Sequence, residues 1–264
     1  EYYDVPSGKY ASDIAAVNYI TKQYQSGGYT ALDARQYIGY LNGDYNVATK
    51  LTHGNTNYTL FAGYNIIEHN GSIKESTESF YFPDYQVDRT YTTLDGKSRN
   101  SQMYGQLNIL NRNDKRTLSG KLTFIRKNAP DNFTSNLMDY TRHHEMNLIS
   151  LNQTNQSGIM PTLELYGNFK LRNRQYIETT LRGSYSRNHY ERNYQENEYT
   201  NYMNSREDFY EGMIGINYGL PLKHQNQLTF QLRSFYQNTA TNYTGNNPLW
   251  QHLWNSTSLF YVEY

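Results

Sequence analysis

Cysteine is absent from this 264-residue chain. That removes disulfide frameworks, thiolate metal sites and a cysteine nucleophile. No apolar run approaches the ~18 residues that a helical membrane span requires. Charge of either sign is not in excess: 24 basic residues balance 24 acidic ones, with a pI of about 7.3. No basic stripe points to a nucleic-acid partner. Phosphate-binding glycine loops, Gly-x-Ser-x-Gly elbows and His-Glu-x-x-His zinc helices are missing, so no enzyme class is indicated and no cofactor is implied. No secretory leader opens the chain. An exported protein is made with one, so the expectation is a mature form or a piece of a longer chain.

Apolar residues are also scarce. They make up 37% of the chain, and the mean hydropathy is −0.89. Globular domains usually reach ~45–50%. Yet the chain holds 29 Tyr, 10 Phe and 2 Trp, whereas disordered chains are poor in aromatics.

The arrangement of the apolar residues resolves the conflict. Ile177, Thr179, Leu181, Gly183 and Tyr185 alternate with Glu178, Thr180, Arg182, Ser184 and Ser186. Alternate side chains of a strand point to opposite faces, so this stretch has one apolar and one polar face. Its length matches the ~9–11 residues with which a tilted strand crosses a bilayer. The pattern recurs at Tyr45–Leu51, Tyr58–Ile66, Met103–Ile109, Leu118–Phe124, Leu163–Phe169, Tyr210–Tyr218 and Leu228–Tyr236, with a last strand from about Trp250 to Tyr264. Short turns at Gly54-Asn55, Asn111–Asp114, Leu171–Arg174 and Pro221–Asn226 alternate with polar stretches near 69–97, 128–158, 190–207 and 238–249. Short turns on one side and long loops on the other characterise outer-membrane barrels. The expectation is an all-β antiparallel transmembrane barrel with roughly ten or eleven strands present, short periplasmic turns and long extracellular loops. Residues 145–153 are expected as an extension or hairpin above the membrane, since a full crossing there breaks the alternation. Ser26-Gly27-Gly28 is expected as a hinge or bend.

The first residues add a resemblance. Glu1–Pro6, Lys9–Ser12 and Ala15–Lys22 resemble the end of the plug domain of TonB-dependent outer-membrane receptors. Met160–Tyr166 is similar to strands of the Bacteroidetes outer-membrane β-barrel branch of that superfamily. The resemblance implies that residues 1–25 are the C-terminal remnant of a plug and 26–264 the N-terminal portion of a larger barrel. It implies a Gram-negative outer-membrane receptor that takes up a scarce ligand. Its implied partners are outer-membrane lipid, a TonB-type energy-coupling protein, a surface lipoprotein, and a small ligand, glycan or peptide.

No catalytic, cofactor or metal residues are assigned. His143-His144-Glu145 is the one dense cluster of metal-type side chains, but neighbours on a strand diverge, and a solvated loop is the better reading. Tyr64, Tyr185 and Tyr218 fit an interfacial aromatic girdle, and Tyr104 and Tyr166 face the polar side. The loop aromatics Tyr199, Tyr202, Tyr243, Trp250 and Trp254 are the candidates for stacking on a ligand. Two alternatives stay open: a secreted soluble β-protein that binds glycans or peptides, with its apolar face packed on a second sheet, and a barrel hydrolase with a tight polar cluster at one rim.

Overall fold

The structure, a computed structural model, describes residues 2–4, 16–18, 26–39, 41–71, 73–141, 146–222 and 226–264. Among them the regular elements are strands, apart from one 3-10 turn at Arg172–Arg174. No described helix is long and apolar enough to cross a membrane, which says nothing about crossing by strands. β1 (Tyr2–Asp4) and β2 (Ala16–Asn18) pair antiparallel as a small sheet of their own.

The remaining strands build one antiparallel sheet of eleven, as the alternating segments predict. They are β3 (Ser26–Tyr37), β4 (Asn42–His53), β5 (Thr56–Asn70), β6 (Glu75–Tyr81), β7 (Gln86–Arg112), β8 (Arg116–Thr141), β9 (Met146–Lys170), β10 (Tyr176–Glu196), β11 (Tyr199–Pro221), β12 (Gln227–Gly245) and β13 (Leu249–Glu263). They follow sequence order across the sheet, except that β6 folds back on the outer part of β7. The sheet is not closed: β3 and β13 are its edges.

Register decides which side chains share a face. Directly opposed residues in an antiparallel ladder lie on the same side. Leu51, Tyr58, Ile109, Gly120, Leu165, Leu181 and Ile214 are opposed in turn from β4 to β11, so they form one row across the sheet. The next row is Leu60, Leu107, Leu122, Leu163, Gly183 and Gly212. Aromatic rows bound this aliphatic band. Toward the short turns lie Phe169, Ile177, Tyr218 and Phe230. On the other side lie the Tyr45–Tyr64 pair and the Tyr185–Tyr210 pair, with ring centroids 6.4 and 4.8 Å apart. All the alternating segments in the sequence therefore point their apolar residues to one face.

Nothing described covers that face. Leu181 is 43% and Ile214 51% exposed, and the only buried hydrophobic side chains described are Ile66 and Met138. Among the described residues no second sheet of comparable size packs against it.

The opposite face is polar at the same height. Lys50, Thr59, Asn108, Lys121, Glu164 and Arg182 are opposed in turn. Lys121 Nζ lies 3.5 Å from Glu164, and Arg182 Nε lies 3.9 Å from both Glu164 and Glu211. A chain of ion pairs thus runs directly behind the aliphatic band.

Two expectations change in detail. Ser26-Gly27-Gly28 begins β3 instead of bending. Gly28 is needed there for contact: a Cβ would lie 2.4 Å from the Lys50 carbonyl and 2.6 Å from a Leu51 methyl. The polar stretches, for their part, are largely folded into strands. β7, β8 and β9 run for 27, 26 and 25 residues, roughly 90 Å at ~3.4 Å per residue. The long connections are mostly two-stranded extensions closed by tight turns, as between β10 and β11, where Asn197 has a positive φ of 48°. The Asn197 side chain accepts the Ile149 N–H at 3.1 Å, tying that turn to β9. Residues 146–153 belong to such an extension, so the alternation of short and long connections is kept. Register shifts at Thr93/Asp95, Lys97/Ser101 and Ala129/Asn132 fall beyond the apolar band, where bulges re-aim strands at little cost to its ladder. His143-His144-Glu145 lies outside the described residues.

Candidate functional site

The strand extensions carry the polar face beyond the apolar band, and there it becomes concave. β6 lies beside the outer part of β7, where the Thr93 N–H donates to the Lys74 carbonyl at 2.8 Å and the two strands pair from Glu75 to Tyr81. The resulting hollow is about 530 Å³. Its lining includes Lys74, Glu78, Arg89, Tyr91, Thr93 and Thr134. Such a volume falls in the ~300–1,000 Å³ range of small-ligand sites.

Charge here is partly spent within the wall. Arg89 donates to Glu78. Hydrogen bonding to Tyr140, then to Glu78, raises the Arg89 pKa further above its ordinary value, so the guanidinium stays charged. Lys74 is exposed, with no acidic partner described.

Beside the hollow the polar face closes up. Thr93, Asn136, Ser150 and Glu196 are opposed in turn across β7 to β10. Asn136 is only 5% exposed; its Nδ2 donates to Ser150 Oγ at 3.5 Å, and its Oδ1 has no partner among the described residues. Arg192 Nε donates to Asn152 Oδ1 at 2.6 Å. Tyr194 donates to Glu196, and that bond raises the tyrosine pKa. The arrangement is a rigid wall of amides, hydroxyls and ion pairs. It can present hydrogen-bond donors and acceptors to a passing polar solute. It holds no group of three His, Asp or Glu side chains able to bind a metal among the described residues.

The aromatic candidates do not converge. Tyr199 opposes Glu196, and Tyr243 opposes Ser205, which opposes Tyr190; both lie on the polar face. Tyr202 opposes Asn193, and its hydroxyl donates to Glu191 at 3.1 Å on the other face. Trp250 and Trp254 are on that other face too. Trp254 continues the Tyr185–Tyr210 row through Asn238. It stands in the aromatic row that bounds the apolar band. One solute can therefore meet Tyr199 or Tyr243 from the polar face, but not all five rings.

The hollow had no local signature in the sequence. Tyr91, Thr93 and Thr134 belong to polar stretches, and what brings them together with Lys74 and Glu78 is the pairing of β7 with β8 on one edge and with β6 on the other. The run Thr90-Tyr91-Thr92-Thr93, rich in β-formers, was the available signal.

A second carboxylate stands apart, nearer the short turns. Glu178 is 2% exposed on the polar face; it accepts a bond from Asn217 Nδ2 at 3.2 Å, and its other oxygen has no described partner.

Comparison of the chain with family models, curated proteins and solved structures returned no match.

Proposed function

We propose that this chain is the wall of an outer-membrane transport barrel, with its apolar face in hydrocarbon and its polar face lining a water-filled passage. One observation carries the reading: a single ladder presents an uncovered apolar band on one side and a chain of ion pairs at the same height on the other. Monomeric soluble proteins rarely expose an apolar patch of that extent. The nine residues from Ile177 to Tyr185 fit the ~9–11 of a tilted bilayer crossing, and aromatic rows stand where headgroups lie. The soluble alternative requires a second layer over the apolar face. Uptake energised through a TonB-type protein is the finer form of the proposal, supported by the plug-like residues 1–22. In that form the outer hollow captures a polar solute and the wall guides it inward.

The test is extraction. Produced in a Gram-negative host with an outer-membrane targeting leader, the chain is expected in the outer-membrane fraction, to resist alkaline carbonate, and to be released only by detergent. A monodisperse product in detergent-free buffer contradicts the reading.

A further inference from the structure

The chain as a whole is neutral, but one edge of its sheet is not. The β7–β8 and β9–β10 turns lie side by side, because the Lys170 N–H donates to the Lys115 carbonyl at 2.8 Å and Arg116 opposes Phe169. Together they carry Arg112, Lys115, Arg116, Lys170, Arg172 and Arg174 against a single carboxylate, Asp114. None of the six cations has an acidic partner among the described residues. The turns are shaped without them: the Asn113 side chain accepts the Lys115 and Arg116 N–H groups, each at 2.9 Å.

Arg174 adds a second observation. Its φ is 60°, next to Asn173 at 58°. A long side chain is unfavourable in this left-handed region, which glycine or asparagine occupies more readily. A cation stands where the backbone favours glycine or asparagine.

The position of the rim says what it meets. Arg116 stands in the row of Phe169, Ile177, Tyr218 and Phe230, the aromatic margin of the apolar band. Long cationic side chains at such a margin reach from hydrocarbon to the headgroup level. A solute free in water would need no aromatic row beneath it. Accepting the membrane-spanning reading, we propose that these two turns form a docking rim for anionic phospholipid headgroups, phosphatidylglycerol or cardiolipin, in the leaflet the short turns face.

The test uses the full chain reconstituted in phosphatidylcholine vesicles containing a trace of spin-labelled phosphatidylcholine or spin-labelled phosphatidylglycerol. The fraction of each label immobilised at the protein gives its relative association constant. The expected result is a several-fold preference for phosphatidylglycerol that shrinks as salt is added, at roughly fivefold per engaged cation at most. Changing Arg112→Gln, Lys115→Gln, Arg172→Gln and Arg174→Gln together is expected to cut it to what Arg116 and Lys170 alone sustain. Arg174→Gly separates lipid contact from turn stability: it should raise the melting temperature in pure phosphatidylcholine while weakening the preference. Equal association constants, or a preference that the fourfold change leaves undiminished, overturn the proposal but leave the membrane reading intact. A chain that enters neither vesicle overturns both.

Discussion

Leu181→Arg is expected to destabilise the bilayer-inserted chain by about 2–4 kcal/mol, the cost of a cation on the lipid side of a barrel at mid-depth. Leu181 is midway between the aromatic rows at Ile177 and Tyr185, opposed by Leu165 and Ile214. An arginine there has no carboxylate within its row, and in the proposed membrane-spanning orientation it faces hydrocarbon. Ser184→Lys, only three residues on, is the control. Ser184 is on the polar face and opposes Glu211, so a lysine there gains a neighbour of opposite sign and stays wet. Its effect should remain within about 0.5 kcal/mol, as for an ordinary surface change. Urea unfolding in lipid vesicles measures both. Equal costs for the two substitutions contradict the assignment of faces.

The free edges carry the second large effect. β13 pairs with β12 alone, and β3 with β4 alone, so each presents a row of unbonded backbone groups. In hydrocarbon every such group costs several kcal/mol. An inserted sheet must therefore find a partner for both edges, whether the two edges meet, a further strand intervenes or a second copy joins. The amides of β13 that point away from β12 are thus expected to exchange with solvent about a hundredfold or more slowly in bilayers than the open edge of an unassembled sheet. Hydrogen–deuterium exchange of inserted protein reads this directly. Rapid exchange of those amides in the inserted state means that the edge is wet and the band is not in hydrocarbon.

What was legible in the sequence is the part where one face is apolar. Alternation has a period of two only while the two faces meet different surroundings, and there it assigned every row from Tyr45 to Tyr236 to one side. The short turns followed from Gly54, Asn113 and Asn173, whose side chains or backbone suit such turns. Beyond the band both faces are polar, the alternation vanishes, and strands such as the outer halves of β7 to β9 look like loops. Only the frequency of threonine and tyrosine hints at them. The faces of Tyr199, Tyr202 and Tyr243 were unreadable for the same reason: with no apolar neighbour to set the parity, register across the Asn197 turn decides it for Tyr199 and Tyr202, and the β11–β12 ladder for Tyr243. The hollow lined by β6, β7 and β8 and the basic rim depend on contacts between segments that are not adjacent in the chain. Local pattern carries no information about those, although the six cations of the two turns were visible as composition.

The absence of cysteine makes the decisive measurement clean. Single cysteines placed one at a time from Ile177 to Ser186, spin-labelled in the bilayer-inserted chain, report contact with oxygen dissolved in lipid and with a water-soluble nickel chelate. Strict alternation is expected, with oxygen contact greatest at 179, 181 and 183 and nickel contact greatest at 180, 182 and 184. Uniform nickel contact along the stretch, or shielding of residue 181 from both reagents, would contradict it.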